Sequence, residues 1–545
     1  MRIKTLWIEE FKNLRNFGIK FENHLTTVLI GRNGSGKSNL LEAIAIIFRD
    51  LDLELKNSDA LRFEYYIEYE CKGNQIVVDA NPNQTRDNKD KQLTLNGEKI
   101  FTRRTSRLSI TVNGKQIPMK QFFENKDEYL PNHVFGYYSG PTNRLAQHFS
   151  YHQDKFDREQ REGKERPLRP LFFALPVHSQ FVLLAYFTYP EFGDREFLEK
   201  FIGVDHLESV LFVIQKPDWA KFKSSQDPFW GATGLPRVFL EKMFNVAQAP
   251  TRDNVDRPNE KLYLHVKDIH DLETLACIEG GDETYRKREF FKDLDSLHIS
   301  NLLSEVRINC RKAETGDIIT FSELSEGEQQ LLVVLGLLKF TSDKETLFLL
   351  DEPDTHLNPV WKLDFLRLVE PIVGDDTQCQ MLLATHDPIV IGSCVKEQVR
   401  ILDFETGVHS GDIIWREPRE DPQGKGVAAL LTSDVYGLRS SLDWVTQRKL
   451  DEKRDLVAKL SESLSLSERK ATELRLQELN EGLSGLGFNY SFRDPMYEEY
   501  SRLMAIELEA YPELSEQKLT KEQQEEREEI AKNVITRVKV EWEND

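Results

Sequence analysis

The octapeptide Gly31-Arg32-Asn33-Gly34-Ser35-Gly36-Lys37-Ser38 constrains this chain more than any other stretch. It fits G-x-x-x-x-G-K-[ST]. The apolar run Val28-Leu29-Ile30 precedes it, and an amphipathic run with Leu40, Leu41, Ala43, Ile44, Ile47 and Phe48 follows it. Strand, glycine-rich turn and helix in that order let backbone N–H groups converge on phosphate oxygens, and the helix N-terminus adds partial positive charge. Lys37 then reaches the β- and γ-phosphates and Ser38 holds Mg²⁺, while Arg32, Asn33, Gly34, Ser35, Gly36 and Asn39 complete the cradle.

A chain of 545 residues exceeds one ordinary core, so two or three domains are expected. The net charge of −20 argues against a wholly basic nucleic-acid binder and leaves room for a local basic face. Cys71, Cys277, Cys310, Cys379 and Cys394 are scattered without C-x-x-C spacing, which implies neither a disulfide framework nor a zinc site and fits a reducing cytoplasm. The opening Met1-Arg2-Ile3-Lys4-Thr5-Leu6-Trp7 is too polar for a signal peptide. The most apolar run, 170–189, contains Pro176, His178, Ser179 and Gln180 and reads as a buried helix rather than a membrane span.

Periodicity predicts strands around Ile3, Leu6 and Ile8, around Phe17, Ile19 and Phe21, over 25–30, 63–71, 75–80 and 133–138, and a turn at Asn113-Gly114. Residues 81–91 are Asn/Asp-rich and read as a mobile loop. The charged stretch 149–169 reads as exposed. Residues 170–310 mix apolar helices with short strands and read as a globular α+β insertion. Residues 318–405 return to α/β character, and two charged helices are expected over 448–481 and 518–542, mostly as solvated faces. The resulting division is 1–150 and 316–415 for two halves of one α/β head, 151–315 for the insertion, and 416–545 for a charged helical extension that docks a partner. No sustained heptad pattern fills the span between Lys37 and Ser325, which disfavours a long coiled-coil arm.

Three later stretches say how a bound triphosphate is used. Leu347-Phe348-Leu349-Leu350-Asp351-Glu352-Pro353 is an apolar strand that delivers two carboxylates to the sheet edge where open α/β sheets bind ligands. Asp351 is placed to support Mg²⁺ with Ser38, and Glu352 to polarise the attacking water as general base. Met381-Leu382-Leu383-Ala384-Thr385-His386 is a second strand that ends on a histidine suited to the γ-phosphate or the water. Leu324-Ser325-Glu326-Gly327-Glu328-Gln329 opens an apolar helix and fits both a capping box and a second anion-reading helix start.

Together these four motifs resemble the ABC-type ATPase head, especially its RecF/SMC/OLD-like branch. The resemblance covers the first ~50 residues and roughly 318–405. It implies a mixed sheet flanked by helices, with ATP and Mg²⁺ as cofactors and two heads sandwiching two ATP molecules. Ser325, Gly327 and Glu328 of one head would then face the γ-phosphate held by Lys37 of the other. Phe11-Lys12-Asn13-Leu14-Arg15 resembles that branch's N-terminal strand and turn, which puts Asn13 near the nucleotide base. Residues 355–358 fall where the family has its D-loop, with Asn358 where relatives often carry Asp or His. Gln147 is the candidate for the metal-contacting Q-loop glutamine, with Gln153 close behind.

Arg400-Ile401-Leu402-Asp403-Phe404 lacks a Toprim-like acidic pattern, which disfavours a fused nuclease. The layout is similar to the PtuA-type ATPase subunits of Septu anti-phage systems, including retron-associated ones. That similarity implies a homo-oligomer, a separate HNH nuclease subunit of the PtuB type, and, in retron operons, a reverse transcriptase with its RNA/DNA product. It implies no membrane. Two other readings stay open: a RecF/SMC-like DNA repair or maintenance ATPase acting directly on nucleic acid, and an ATP-bound scaffold that does not hydrolyse.

Overall fold

The computed structural model describes the chain except 22–24, 54–61, 81–107, 163, 165–168, 190–193, 221–226, 256, 279–281, 339–344, 370–377, 405–410, 439 and 461–465; beyond 484 it describes only scattered positions. The loop expected at 81–91 and most of the helix expected at 518–542 lie outside the described residues. The chain divides into two compact units, Met1–Arg439 and Ser440–Asp545.

The first unit opens with the antiparallel hairpin β1 (Arg2–Phe11) and β2 (Leu14–Lys20), then β3 (Thr26–Gly31), which runs into the helix Lys37–Asp52. Strands β4 (Tyr65–Cys71), β5 (Asn74–Asp79), β6 (Ser109–Val112) and β7 (Lys115–Ile117) extend the hairpin into a six-stranded antiparallel sheet, with Asn113 and Gly114 at positive φ in the β6–β7 turn.

β3 belongs to a second sheet with β8 (His133–Tyr138), β9 (Leu171–Phe173), β15 (Thr346–Asp351), β16 (Gln380–Ala384), β17 (Val399–Phe404) and β18 (Ile413–Arg416). Its order is β18-β17-β3-β16-β15-β8-β9, all parallel except β18. Parallel strands covered on both faces need unbroken apolar runs, and Leu347, Phe348, Leu349 and Leu350 are fully buried. Alternation sorts the two faces. Leu29, Leu347, Leu349, Leu382 and Ala384 pack with the helix Lys37–Asp52 and the antiparallel sheet, while Val28, Ile30, Phe348, Leu350 and Leu383 face a second core that takes in apolar residues such as Phe181, Val210, Phe291 and Leu335.

A third sheet, five-stranded and antiparallel, is made of β10 (Val204–Gln215), β11 (Thr251–Asp253), β12 (Lys261–Val266), β13 (Leu303–Lys312) and β14 (Ile318–Thr320), in the order β11-β12-β10-β13-β14. Two expectations are corrected here. The apolar run 170–189 is not one helix: its start is β9 at the edge of the parallel sheet, and only His178–Thr188 is helical. The charged stretch 149–169 is not exposed throughout. Helix Ser150–Arg161 buries His152, Phe156 and Gln160, and Arg169 is buried against Asp295.

In the second unit the charged segment is helical over Trp444–Leu460 and Leu466–Ser484, and Arg475 of the later stretch pairs with Glu452 of the earlier one.

Candidate nucleotide site

The strand ends that face the glycine turn are level with one another. Asp351 of β15 is in register with Ala384 of β16 and Tyr138 of β8, and Ala384 continues into register with Leu29 of β3. The residues that follow these ends therefore share one edge of the sheet, the C-terminal edge.

Gly31 sits at φ +154, and a Cβ there would lie 2.2 Å from the Leu402 carbonyl of the neighbouring strand, so the turn can leave β3 only through glycine. Lys37 is buried and folds back, with Nζ donating to the Gly31 carbonyl at 2.8 Å. Burial lowers the Lys37 pKa, and the nearby Glu352 and Asp351 carboxylates oppose that shift. Ser35 is buried, and its Oγ has no hydrogen-bond partner. Arg32, Asn33 and Gly34 are exposed. Asn13, in the β1–β2 turn, ties the hairpin to the loop: its Nδ2 donates to the Gly34 carbonyl at 2.6 Å, and its Oδ1 accepts from Asn39 at 2.6 Å.

Asp351 is buried, which raises its pKa, while the Ser38 hydroxyl and the Arg144 guanidinium oppose the shift by hydrogen bonding and charge. Its Oδ1 is left without a partner. A hydroxyl joined to a buried carboxylate with a free oxygen is a donor set that fits Mg²⁺ held through Ser38 and Asp351 together with its water shell. Glu352 follows in the left-handed region at φ 55, a conformation costing on the order of 1 kcal/mol for a residue with a Cβ. Its N–H donates to the Ala384 carbonyl at 2.8 Å, and its Oε1 lies 3.3 Å from His386 Nδ1. Both of these side chains remain partly open to solvent. Behind them Thr385 donates to Asp354, and the Tyr436 hydroxyl donates to the His386 carbonyl.

Ser325 caps the helix Glu326–Leu331 in a reciprocal capping box with Glu328. Gly327 is buried beneath the His356 carbonyl, and the His356 N–H donates to Gln330 at 2.9 Å. This second glycine turn is thereby packed on residues 354–358. Asn358 caps the next helix, Pro359–Val369, by accepting from the Trp361 N–H. Ser325 itself is exposed, and among the described side-chain hydrogen bonds it pairs within its own turn.

The structure thus brings together Lys37, Ser38, Asp351, Glu352 and His386, with Asn13 and Asn39 bracing the loop, and leaves the Ser325 turn on the surface. Gln147 is exposed, and its amide donates to the Arg144 carbonyl at 2.8 Å. Among the described contacts it is Arg144 that meets Asp351, at 3.0 Å. Sequence reasoning missed Arg144; the available signal was a basic residue in the turn just past a parallel strand's C-terminal end. It also missed Glu42, which lies on the Lys37–Asp52 helix and pairs with Lys12 and His148.

The profile described as the RecF/RecN/SMC N-terminal domain matches residues 2–410. A Vibrio cholerae serotype O1 biovar El Tor protein described as "Retron Vc95 probable ATPase" is 22% identical over 461 residues, spanning 79% of this chain and 78% of its own length. Septu protein PtuA of Bacillus mycoides (strain KBAB4) is 24% identical over 153 residues, 26% of this chain and 21% of PtuA. Among solved structures, an Smc head bound to the C-winged helix domain of ScpA aligns over 76% of this chain and 97% of its own, at 14% identity and a TM-score of 0.32. No helix among the described residues is long and apolar enough to cross a membrane.

Proposed function

This chain belongs to the RecF/RecN/SMC N-terminal domain family, and from that premise we propose that it binds and hydrolyses ATP with Mg²⁺ between two copies of its head, and so regulates a separate effector nuclease in anti-phage defence. The observation that carries the ATPase reading is the gathering of Lys37, Ser38, Asp351, Glu352 and His386 on one sheet edge. Lys37 binds the terminal phosphates, Ser38 and Asp351 hold the metal, Glu352 takes the proton of the attacking water, and His386 orients Glu352.

The dimer reading is supported by the exposed Ser325 turn. A capped glycine turn, packed against 354–358 and open to solvent at Ser325, suits a triphosphate held by a second copy. The defence reading is supported by the extent of the match to the Vibrio cholerae retron protein, which runs over most of both chains. An HNH nuclease subunit is the partner this reading names.

The test is sizing by light scattering with and without ATP, for the wild type, Lys37→Ala and Ser325→Arg, alongside phage plating of cells carrying each form with its neighbouring genes. Lys37→Ala is expected to lose nucleotide binding, dimer and protection. Ser325→Arg is expected to keep nucleotide binding and lose the other two. ATP hydrolysis that depends steeply on added DNA, with no effect on plating, would move the reading to direct DNA maintenance.

A further inference from the structure

The buried carboxylate that completes the metal site is already engaged by a cation from its own chain. Arg144 Nη2 lies 3.0 Å from Asp351 Oδ2; the Asp351 side chain is 2% exposed and that of Arg144 34%. The guanidinium lies over the Tyr138 ring at 5.1 Å, and its Nε has no hydrogen-bond partner. Asp351 Oδ1 is equally unpartnered. Arg144 therefore neutralises half of the carboxylate that the metal must use.

The turn that presents Arg144 is fixed from beneath. His148, four residues on, accepts from Arg49 at Nδ1 (3.1 Å) and donates from Nε2 to Glu42 at 2.9 Å. Glu42 and Arg49 are on the Lys37–Asp52 helix, the helix that carries Ser38. The Gln147 amide closes the turn on the Arg144 carbonyl. One helix thus carries the metal's hydroxyl ligand and anchors the turn that sets a competing cation on the metal's carboxylate.

We propose that Arg144 is a positioning residue that competes with the divalent cation for Asp351, so that the site accepts Mg²⁺ only together with the charge of a bound triphosphate. The inference rests on the ATP-site reading above. A cation approaching alone meets a carboxylate already paired, and a cation arriving with a triphosphate brings enough negative charge to draw the guanidinium away.

The test is titration of Mg²⁺ into full-length protein with a fluorescent ATP analogue, reading nucleotide binding and not turnover. Arg144→Ala and the longer polar Arg144→Gln are each expected to lower the half-saturating Mg²⁺ concentration about fivefold, the size of one partly exposed ion pair. Arg144→Lys should fall between these and the wild type. In an Asp351→Asn background, Arg144→Gln should cause no further shift, because the competed group is gone. An unchanged or increased Mg²⁺ requirement in both Arg144 variants would overturn the proposal, as would the same decrease persisting with Asp351→Asn. Lys37→Ala serves as the separate control: analogue binding that survives it dismisses the ATP-site reading itself, whatever Arg144 does.

Discussion

Nδ1 of His386 lies 3.3 Å from Oε1 of Glu352, joining the ends of two adjacent parallel strands. The contact exists because Glu352 departs from strand geometry: at φ 55, with its N–H held by the Ala384 carbonyl, its carboxylate is stationed by the backbone. Glu352→Gln keeps that shape and removes the base. The expected outcome is a fall in kcat of about 100-fold or more with ATP binding intact, and accumulation of an ATP-bound dimer. His386→Ala, which loses orientation only, should cost less, on the order of tenfold. Steady-state hydrolysis and retained nucleotide measure both, and wild-type turnover in Glu352→Gln would place the base elsewhere.

Gly327 gives a sharper view of the second glycine turn. A Cβ there would sit 2.7 Å from the His356 carbonyl, a backbone atom that cannot swing aside. Gly327→Ala must push the Ser325 helix away from residues 354–358, at a cost of about 1–3 kcal/mol. The first glycine turn is untouched. Nucleotide affinity should therefore match the wild type while ATP-driven dimerisation and hydrolysis fall. Equal loss of nucleotide binding would show that the substitution disturbs the whole head.

The unit Met1–Arg439 contains every residue of the candidate site. Removing 440–545 should leave nucleotide titrations unchanged, while a pull-down of the nuclease proposed as partner should lose its signal. Unchanged capture would end the docking role proposed for the extension.

The parallel strands were legible because burial on both faces demands unbroken apolar runs, and 346–350 and 380–384 show them. The glycine turn was legible because its glycines and lysine sit at fixed spacing. Arg144 was not, because its contact with Asp351 comes from a turn whose His148 is held by Glu42 and Arg49, residues distant in sequence and individually ordinary. Arg169 was misread as exposed for the same reason: a charged residue in a charged stretch gives no sign of a buried partner more than a hundred residues away.

That buried partner also sets how the fold responds to acid. Asp295 accepts from Arg169 at 2.9 Å and from His178 Nε2 at 3.2 Å, while His178 Nδ1 accepts from the Leu175 N–H at 3.0 Å. Protonating His178 would set one donor against another, and burial lowers its pKa below the ordinary 6.5 despite the opposing pull of Asp295. The half-buried His298 shifts the same way. From pH 6.5 downward the unfolded chain therefore takes up protons that the folded chain refuses, and stability falls, by up to about 1.4 kcal/mol per pH unit for each histidine. Burial would raise the Asp295 pKa, but Arg169 and His178 hold it below the usual value of 3.8, so its contribution is present above that range and is lost only in stronger acid. Urea unfolding at pH 7 and pH 5.5 should show the wild type losing stability over this window and His178→Gln losing less of it. Arg169→Ala, which strands a buried carboxylate, should cost about 3–5 kcal/mol at pH 7. Equal pH slopes for the wild type and His178→Gln would mean that His178 does not titrate differently on folding.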